Sequence, residues 1–570
     1  MTNKLKPSMS RAPVSTTRRE FIVKMSSAAV VIAAGGALSA CGGSTREAAA
    51  FNYGVASGDP LSDRVILWTH AKYGSDDPVE LVWQVAADAN FSPVLQAGTV
   101  TATKDSSFTA KADATGLTAG TEYYYRFLDS SGNASAVGRA RTLPVGVVNE
   151  VKLAVFSCSD YPAGHFNAYG AAVSSGAQFA LHLGDYIYEY KDGVFPAAAS
   201  AVAGRVSAPP NECVTLADYR ARHATHKSDP NAKTLHARMP MIAVWDDHEF
   251  ANNGWTGGAE NHNPATQGPW AARKAAASQA YHEWMPIRTP DKANLLKIYR
   301  SFDFGSLLSL HMLDTRIVGR DQQVDRGLDA AGRDVALAAG AFNPFSNTKQ
   351  LLGTTQESWL TTQMTASKAT WQVLGQQIVM ARVTLPLSTL SATDGLNFAA
   401  VTAYLTAKAT PVAARTQTQK DLLDLTKNPK IPYNFDAWDG YPTARETVLT
   451  AAAQLKSSGK KFVVLSGDTH NAWYSKLTLA NGSQVGMEFA GSSVSSPGFE
   501  SFFPPASVPP AVLASTIVGL TDDLQYIDTA RRGYLLMTFT PAQAKGEFVF
   551  VSTVTNTNYT VDVHTETYVA

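Results

Sequence analysis

The segment VKLAVFSCSD (151–160) is the first of four short apolar runs that each end in residues able to bind metal ions. The other three are FALHLGDYIYE (179–189), MIAVWDDHE (241–249) and FVVLSGDTH (462–470). Short, fully apolar, β-rich runs are typical of buried parallel strands. Because open α/β sheets bind ligands at the carboxyl ends of their strands, we expect the four ends to meet in one crevice. Their side chains predict a polynuclear metal centre suited to hydrolysis.

The candidate ligands at these four ends combine carboxylates, imidazoles, one thiol and one phenol: Cys158, Asp160, Asp185, Tyr188, Asp247, His248, Asp468 and His470. Two of the ends carry a pair of ligands at positions i and i+2, which face the same side of an extended backbone. A phenol ordinarily has a pKa of about 10, so Tyr188 is expected to bind only a hard, highly charged ion such as Fe³⁺. The alternative for Tyr188 is aromatic packing. Each motif alone is weak, whereas the ordered set of four is specific.

The stretch WDDHE (245–249), followed by Ala251-Asn252-Asn253, leaves the most alternatives open. Asp246, Asp247 and Asn252 can each offer an oxygen to Ca²⁺, Mg²⁺ or Mn²⁺. His248 can be a metal ligand or a general acid near a phosphate.

Residues 52–145 are predicted to form a small all-β domain, with turn residues between short strands at the intervals of a sandwich. The segment GLTAGTEYYYRF (116–127) resembles the tyrosine corner of fibronectin-type modules, so its tyrosines are assigned to packing. Leu143-Pro144 marks the predicted boundary, because the residue before a proline is disfavoured in a helix.

Residues 146–560 are predicted to form the second domain. Helical periodicity is present at 216–229 and 269–285, the second beginning at Pro269. Segments 319–350 and 383–434 are predicted insertions, the latter with one or two helices and a lid-like loop. The tail at 533–554 predicts antiparallel strands added to a second sheet.

Residues 1–41 are predicted to be a targeting segment. TRREFIVK (17–24) resembles a twin-arginine export signal, and LSAC (38–41), after an apolar stretch too short for a membrane span, resembles a lipoprotein box that would acylate Cys41. The alternatives are a generic basic signal and cleavage near Ala40 without a lipid. The expected location is periplasmic or at the cell surface, with a lipid anchor. Twin-arginine export carries folded proteins, which suits a protein whose metals are inserted in the cytoplasm.

Composition excludes few classes of protein. The 570 residues are 45% hydrophobic and 17% charged, and the formal net charge is 0, so nothing favours nucleic acid or an anionic membrane as an electrostatic partner. Besides Cys41 the chain has only Cys158 and Cys213. We expect Cys158 to be a metal thiolate, the alternatives being a disulfide with Cys213 or a buried free thiol.

The chain resembles the PhoD-type alkaline phosphatases, within the metallophosphoesterase group that includes the purple acid phosphatases. The resemblance is carried by GVASGDPLSDRVILWT (54–69), FSCSD, GDYIYE, WDDHE, SGDTH and WDGYPTAR (438–445), and it covers nearly all of the chain after the signal. It implies an α/β fold, a four-layer αββα metallophosphoesterase domain with two packed mixed sheets, preceded by a fibronectin- or Ig-like β-sandwich. Segment 383–434 does not match the family, which leaves the width of the pocket open.

The resemblance also implies a centre of Fe³⁺ and Ca²⁺, with Mn²⁺, Mg²⁺ or Zn²⁺ as alternatives. Iron would be held by Cys158, Asp185, Tyr188 and His470. Calcium would be held by Asp160, Asp185, Asp468 and either Asn252 or Asp247. His248 and Arg445 are the candidate catalytic side chains, and a structural salt bridge is the alternative for Arg445.

The function expected from this centre is hydrolysis of phosphate esters, with a metal-bound water or oxide as the nucleophile. Monoesters and diesters cannot be separated at this stage, because the same centre serves both. The alternatives are a phospholipase D-type phosphodiesterase and, in another class, a non-catalytic surface-binding lipoprotein. No GxSxG motif for a serine nucleophile occurs in the chain.

Overall fold

The computed structural model describes residues 48–324, 348–390, 396–503 and 506–570. The front segment contains strands β1–β7, at Val55–Gly58, Arg64–His70, Val79–Ala86, Val94–Ala102, Thr109–Thr115, Glu122–Asp129 and Gly138–Arg141. Strands β4, β3, β6 and β7 form an antiparallel sheet that packs against β1, β2 and β5 across a shared core. Tyr123, Tyr125 and Phe127 alternate into this core, as side chains of period two must. The Tyr123 hydroxyl accepts the N–H of Thr118 at 2.8 Å, the upstream contact of a tyrosine corner.

The remaining strands are β8–β22, at Val151–Phe156, Phe179–His182, Met241–Ala243, Arg300–Phe304, Leu308–Met312, Trp371–Gly375, Thr384–Pro386, Lys430–Pro432, Lys461–Ser466, Ala472–Thr478, Gln484–Ala490, Leu524–Asp528, Arg532–Phe539, Gln543–Val551 and Val561–Val569. Helices α1–α10 lie at Asn167–Ala172, Leu216–Ser228, Pro230–Arg238, Pro264–Gln267, Trp270–Trp284, Gly353–Ala366, Phe398–Ala409, Gln417–Leu423, Pro442–Leu455 and Pro510–Leu520. The two helices predicted at 216–229 and 269–285 are α2 and α5.

Two mixed sheets carry the strands that end in the candidate ligands. The first has the order β22-β21-β20-β8-β9-β10-β1-β2-β5, and the second has the order β11-β12-β13-β16-β18-β17-β19. In β16, Val463 and Leu465 face the first sheet, whereas Phe462 and Val464 face the core beneath α6, α9 and α10. Helices α1, α2, α3 and α5 cover the outer face of the first sheet. The four layers expected from the resemblance are therefore present.

The front segment is joined to the first sheet by backbone pairing. Strand β1 pairs in parallel with β10 at Gly58 and Met241, so the nine-stranded sheet runs from the tail into the front segment. The prediction for the tail was wrong in one respect. Strands β20 and β21 extend the first sheet beside β8, and do not add to the sheet of β16. Strand β8 therefore pairs with β9 on one side and with β20 of the tail on the other, which makes it an inner strand.

Local sequence explains where the helices next to the site begin. Thr215 and Asp218 form a reciprocal capping box at the start of α2. The Asp229 carboxylate caps α3, which has Pro230 in its first turn. Insertion 383–434 contains β14, α7, α8 and β15, which pack with Leu520 of α10; residues 391–395 lie outside the described ranges. In the described ranges, every helix is too short or too polar to cross a membrane.

Candidate metal centre

The carboxyl ends of β8, β9 and β10 lie level with one another. Phe156 and Ala243 are both in register with His182, so the loops that follow leave the sheet side by side. The Cys158 N–H donates to the Gly184 carbonyl at 3.2 Å, which ties two of these loops together. The loop after β16 joins them from the second sheet. The structure thus brings the four predicted strand ends into one crevice.

Four of the predicted ligands have left-handed backbone conformations. The φ angles of Cys158, Asp185, Asp468 and His470 lie between 53° and 64°. Non-glycine residues seldom adopt this region, and such strained residues cluster at functional sites. All four residues contribute side chains to the clusters of potential metal ligands in the crevice.

Three sets of donor atoms lie within 4.8 Å of one another in the described residues: Cys158, Asp185 and His470; Asp185, Asp247 and His248; and Asp246, Asp247 and Asp468. Asp185 belongs to the first two sets, and Asp247 belongs to the last two. Shared carboxylates between neighbouring sets are what a centre with adjacent cations requires. Asp247 is thereby placed among the clustered donors.

Tyr188 lies beside the set that contains Cys158 and contacts two of its members, Asp185 and His470. Its hydroxyl donates to Asp185 Oδ2 at 3.2 Å, lies 3.1 Å from His470 Nε2 and accepts from Ser496 Oγ at 2.7 Å. His470 Nδ1 lies 2.6 Å from the Pro497 carbonyl, so this nitrogen carries the proton and Nε2 presents its lone pair to the set. The Tyr188 ring also stacks on Phe195, at 5.7 Å between centroids, so Tyr188 both packs against an aromatic ring and faces the donor atoms.

Asp160 and Asn252 lie beside these sets. Both oxygens of the buried Asp160 carboxylate lack a hydrogen-bond partner in the described residues, and burial raises the pKa of this group to about 8. Asp160 is not within the 4.8 Å sets. Asn252 donates its N–H to Glu189 at 2.7 Å and its amide to Glu260 at 3.2 Å. Calcium binding by Asp160 and by Asn252 stays a prediction.

The electrostatics of the crevice fit cations. Burial and neighbouring carboxylates raise the pKa of Asp185 well above its usual range, and burial raises the pKa of Asp246 to about 7. Asp185 Oδ1 accepts no hydrogen bond in the described ranges. Several carboxylates buried so close together are costly, and bound metal ions would neutralise them. Burial likewise raises the pKa of the Cys158 thiol, which a metal would have to bind as a thiolate.

Two glutamates that the sequence analysis did not single out hold the ligand loops in place. Glu249 is buried and accepts four backbone N–H groups, from Asp185, Tyr186, Ile187 and Asp246, at 2.6–3.2 Å. Glu189 accepts from the ring of His248 at 2.8 Å and from the N–H of Asn252 at 2.7 Å. Both lie inside motifs already recognised, GDYIYE and WDDHE, but nothing in their spacing shows which loop they bind.

Arg316 is a third residue of the crevice that the sequence analysis did not single out. Its guanidinium is fully buried, contacts Asp246, and donates to Asp436 at 2.5 Å and to Asp468 at 2.8 Å. It lies 3.5 Å from Asp247. Arg316 follows β12, so the signal used for the other four loops, polar residues directly after an apolar strand, was present in HMLDTRIVGR (311–320).

The two predicted catalytic side chains have different surroundings. His248 belongs to a donor set and is 8% exposed. Burial alone would lower its pKa, but Asp247, Asp185 and Glu189 outweigh burial and raise the pKa well above the usual value. Arg445 is buried in α9 and donates to the carbonyls of Met380 at 2.6 Å and Thr478 at 3.0 Å. These contacts agree with a structural role for Arg445, although its partners are carbonyls rather than the expected carboxylate.

The two described cysteines are both free and buried. The alternative of a bridge between Cys158 and Cys213 is therefore not realised, and Cys213 packs in the core of the first sheet. Arg18, Arg19 and Cys41 lie outside the described residues.

Comparison with known proteins identifies the family. The model described as PhoD-like phosphatase matches residues 153–548, and the model of its N-terminal domain matches residues 36–144. The chain belongs to the PhoD-like phosphatase family. It is 32% identical to alkaline phosphatase D of Bacillus subtilis (strain 168) over 521 residues, which are 89% of this chain and 78% of that protein.

A solved PhoD structure has the same fold. It superposes with a TM-score of 0.72 at 29% identity, covering 93% of this chain and 92% of the PhoD chain. This PhoD-like chain is a phosphoesterase, a hydrolase of the alkaline phosphatase type. The resemblance stated from the motifs is confirmed, and family and donor groups together indicate dependence on metal ions. The family favours catalysis over a non-catalytic surface-binding role.

Proposed function

We propose that the protein is an exported alkaline phosphatase that hydrolyses phosphate esters at a centre of Fe³⁺ and Ca²⁺. Iron is assigned to Cys158, Asp185, Tyr188 and His470. Calcium is assigned to Asp160, Asp185, Asp468 and either Asn252 or Asp247. The observation that carries the proposal is the sharing of Asp185 and Asp247 between adjacent sets of donor atoms.

The bound metal ions would supply Lewis-acid charge and a water of low pKa. His248 is assigned as the general acid that donates a proton to the leaving oxygen. Glu189, which is not assigned to a metal ion, binds Nδ1 of His248 and favours the protonated ring, so the second ring nitrogen can donate. Arg316 is bound by several carboxylates at once and is assigned to holding Asp468 in place rather than to substrate.

Asp160 gives the test of the metal assignment. We expect Asp160→Asn to lower both the calcium content and the hydrolysis of 4-nitrophenyl phosphate. The metal-free variant should be at least as stable as metal-free wild type, because an unpartnered buried carboxylate has been removed. The matched control is Asp77→Asn, at an exposed aspartate of the front segment that contacts only its own turn. Full calcium content and full activity in Asp160→Asn would contradict the assignment.

We propose export by the twin-arginine route and a lipid anchor on Cys41, with a periplasmic or cell-surface location. The motifs TRREFIVK and LSAC support both assignments. Replacing Arg18 and Arg19 by Lys should retain the precursor in the cytoplasm, and normal export would contradict the route. Cys41→Ser should move the protein from the membrane fraction to the soluble fraction, since this residue would carry the acyl chains. Unchanged membrane retention would rule out the anchor.

A further inference from the structure

A cavity of about 240 Å³ adjoins the candidate metal centre and shares Asp468 with it. The Asp468 side chain is 17% exposed, so this carboxylate borders open space as well as the buried donor sets. The other walls are mainly apolar or aromatic and include Val383, Tyr433, Trp473 and Phe499. Any group that reaches the donor sets from this side lies against those walls.

The aromatic walls are held by hydrogen bonds and by contacts between their rings. Trp473 Nε1 donates to Thr469 Oγ1 at 2.7 Å, so the indole nitrogen needs no partner from a ligand. The ring of Phe499 meets Trp473 and Tyr433 edge-to-face, at 5.9 Å between centroids in each case. Its backbone N–H donates to Asn471 at 3.2 Å, which ties this wall to the loop that carries His470. The aromatic walls of the cavity are thus fixed in place by contacts within the protein.

The charges at the cavity are of one sign. Asp439 and Asp468 are the charged side chains among its lining residues, and no lysine or arginine of the described ranges belongs to the lining. Asp439 also accepts the Val383 N–H at 2.7 Å, which holds the wall from insertion 383–434. Arg316, which binds Asp468, is fully buried, so an additional anionic group on a substrate would find no basic side chain in the lining to pair with.

We propose that this cavity receives the leaving group of the substrate, and that this group is an uncharged short alkyl chain or a single aromatic ring. The inference rests on the proposed phosphatase function and names its substrate class. A volume of about 240 Å³ is below the roughly 300–1,000 Å³ of sites for drug-sized ligands, which limits the occupant to one such group. Phe502, on the rim, is 77% exposed, and a large exposed aromatic next to an apolar cavity suits contact with an incoming chain.

The experiment measures kcat/KM for methyl, ethyl, butyl and hexyl phosphate, whose leaving alcohols differ little in acidity. We expect kcat/KM to rise with chain length, by up to about fourfold for each methylene that becomes buried. The phosphate monoester of 4-hydroxybutyrate should react more slowly than butyl phosphate, because its carboxylate would face Asp439 and Asp468.

Phe502→Ser should flatten the rise, lowering kcat/KM more for hexyl phosphate than for methyl phosphate, because a longer chain buries more apolar surface against the cavity walls. Leu425→Ser is the matched control, since Leu425 is also a large exposed side chain, 62% exposed, but is absent from the lining. It should keep the full rise. Equal kcat/KM along the wild-type series, or a rise that survives Phe502→Ser, would overturn the inference. Failure to hydrolyse even methyl phosphate and 4-nitrophenyl phosphate would instead refute the proposed function.

Discussion

Glu249→Gln is the most informative substitution for the assembly of the centre. The Glu249 carboxylate is buried, with Oε1 accepting from Tyr186 and Ile187 and Oε2 accepting from Asp185 and Asp246. Glutamine keeps the shape of the side chain but offers one acceptor oxygen. Its amide group would point N–H against two backbone N–H groups, so at least two of the four hydrogen bonds are lost.

The expected cost follows from that count. Hydrogen bonds to charged groups contribute roughly 1.5–3 kcal/mol each, so the loss of two should lower the free energy of unfolding by about 3–6 kcal/mol. This is a large fraction of the roughly 5–15 kcal/mol by which a domain is stable. Whichever oxygen is replaced, at least one N–H of residues 185–187 is released, so the loop that carries Asp185 should loosen. We therefore expect phosphatase activity and metal content to fall together in protein that remains folded.

The assay is denaturant unfolding together with hydrolysis of 4-nitrophenyl phosphate. Glu446→Gln is the matched control, because Glu446 also accepts a backbone N–H, from Ala480, but at the exposed surface. We expect the control to change the free energy of unfolding by no more than about 0.5 kcal/mol. A Glu249→Gln protein with full activity and a loss of stability as small as the control's would refute the reasoning.

Three other predictions concern protonation and packing. Glu189→Gln should lower the pKa of His248, because Glu189 is one of the groups that raise it. The alkaline side of the pH–rate profile should then move to lower pH, since His248 must be protonated to donate. An unchanged profile would contradict the proton-donor assignment. Acid should destabilise the protein as pH falls from about 6.5 towards 3, because burial lowers the pKa of His182 and His226 to about 3 and lowers that of His223 and His236 well below the ordinary value. As pH falls, these histidines are protonated in the unfolded state before they are protonated in the folded state, so each should lower the free energy of unfolding by roughly 1.4 kcal/mol at pH 5.5. Unfolding curves that coincide at pH 5.5 and pH 7.5 would refute this. Arg445→Met should remove two hydrogen bonds from a charged donor and lower the free energy of unfolding by about 3–6 kcal/mol. The folded fraction should keep its kcat, and a selective loss of kcat would instead support a catalytic role for Arg445.

The strands and the meeting of their ends could be predicted because apolar runs and strand-end polar residues are local signals. Strand β8 is VKLAVF, and Cys158 follows two residues after its end. One short segment therefore indicates both that the strand is buried and that it ends at a candidate ligand. The insertion helices were harder to delimit, because α7 and α8 pack on Leu520, more than 95 residues further along the chain. The same long-range pairing places the tail beside β8, which no local pattern of the tail indicates.

The parts of the site that could not be predicted act through other residues. Glu249 and Glu189 hold the ligand loops because particular backbone N–H groups donate to their carboxylates. Which N–H groups do so depends on how the loops fold against one another. Arg316 lies on a fifth strand end, in the second sheet, and its four carboxylate neighbours come from three different segments. Arg445 is a further case. Its motif suggests either a phosphate contact or a structural role, and only the structure shows that its guanidinium donates to the carbonyls of Met380 and Thr478.

Metal analysis of protein purified without added metal, combined with its visible spectrum, tests the central claim most directly. If Cys158 and Tyr188 both bind Fe³⁺, the protein should contain iron together with calcium and should be coloured by ligand-to-iron charge transfer. Tyr188→Phe keeps the ring that stacks on Phe195 but removes the oxygen that faces Asp185 and His470, so it should shift or abolish the visible band and strongly reduce activity. A colourless, iron-free wild-type protein with full phosphatase activity would contradict the assignment.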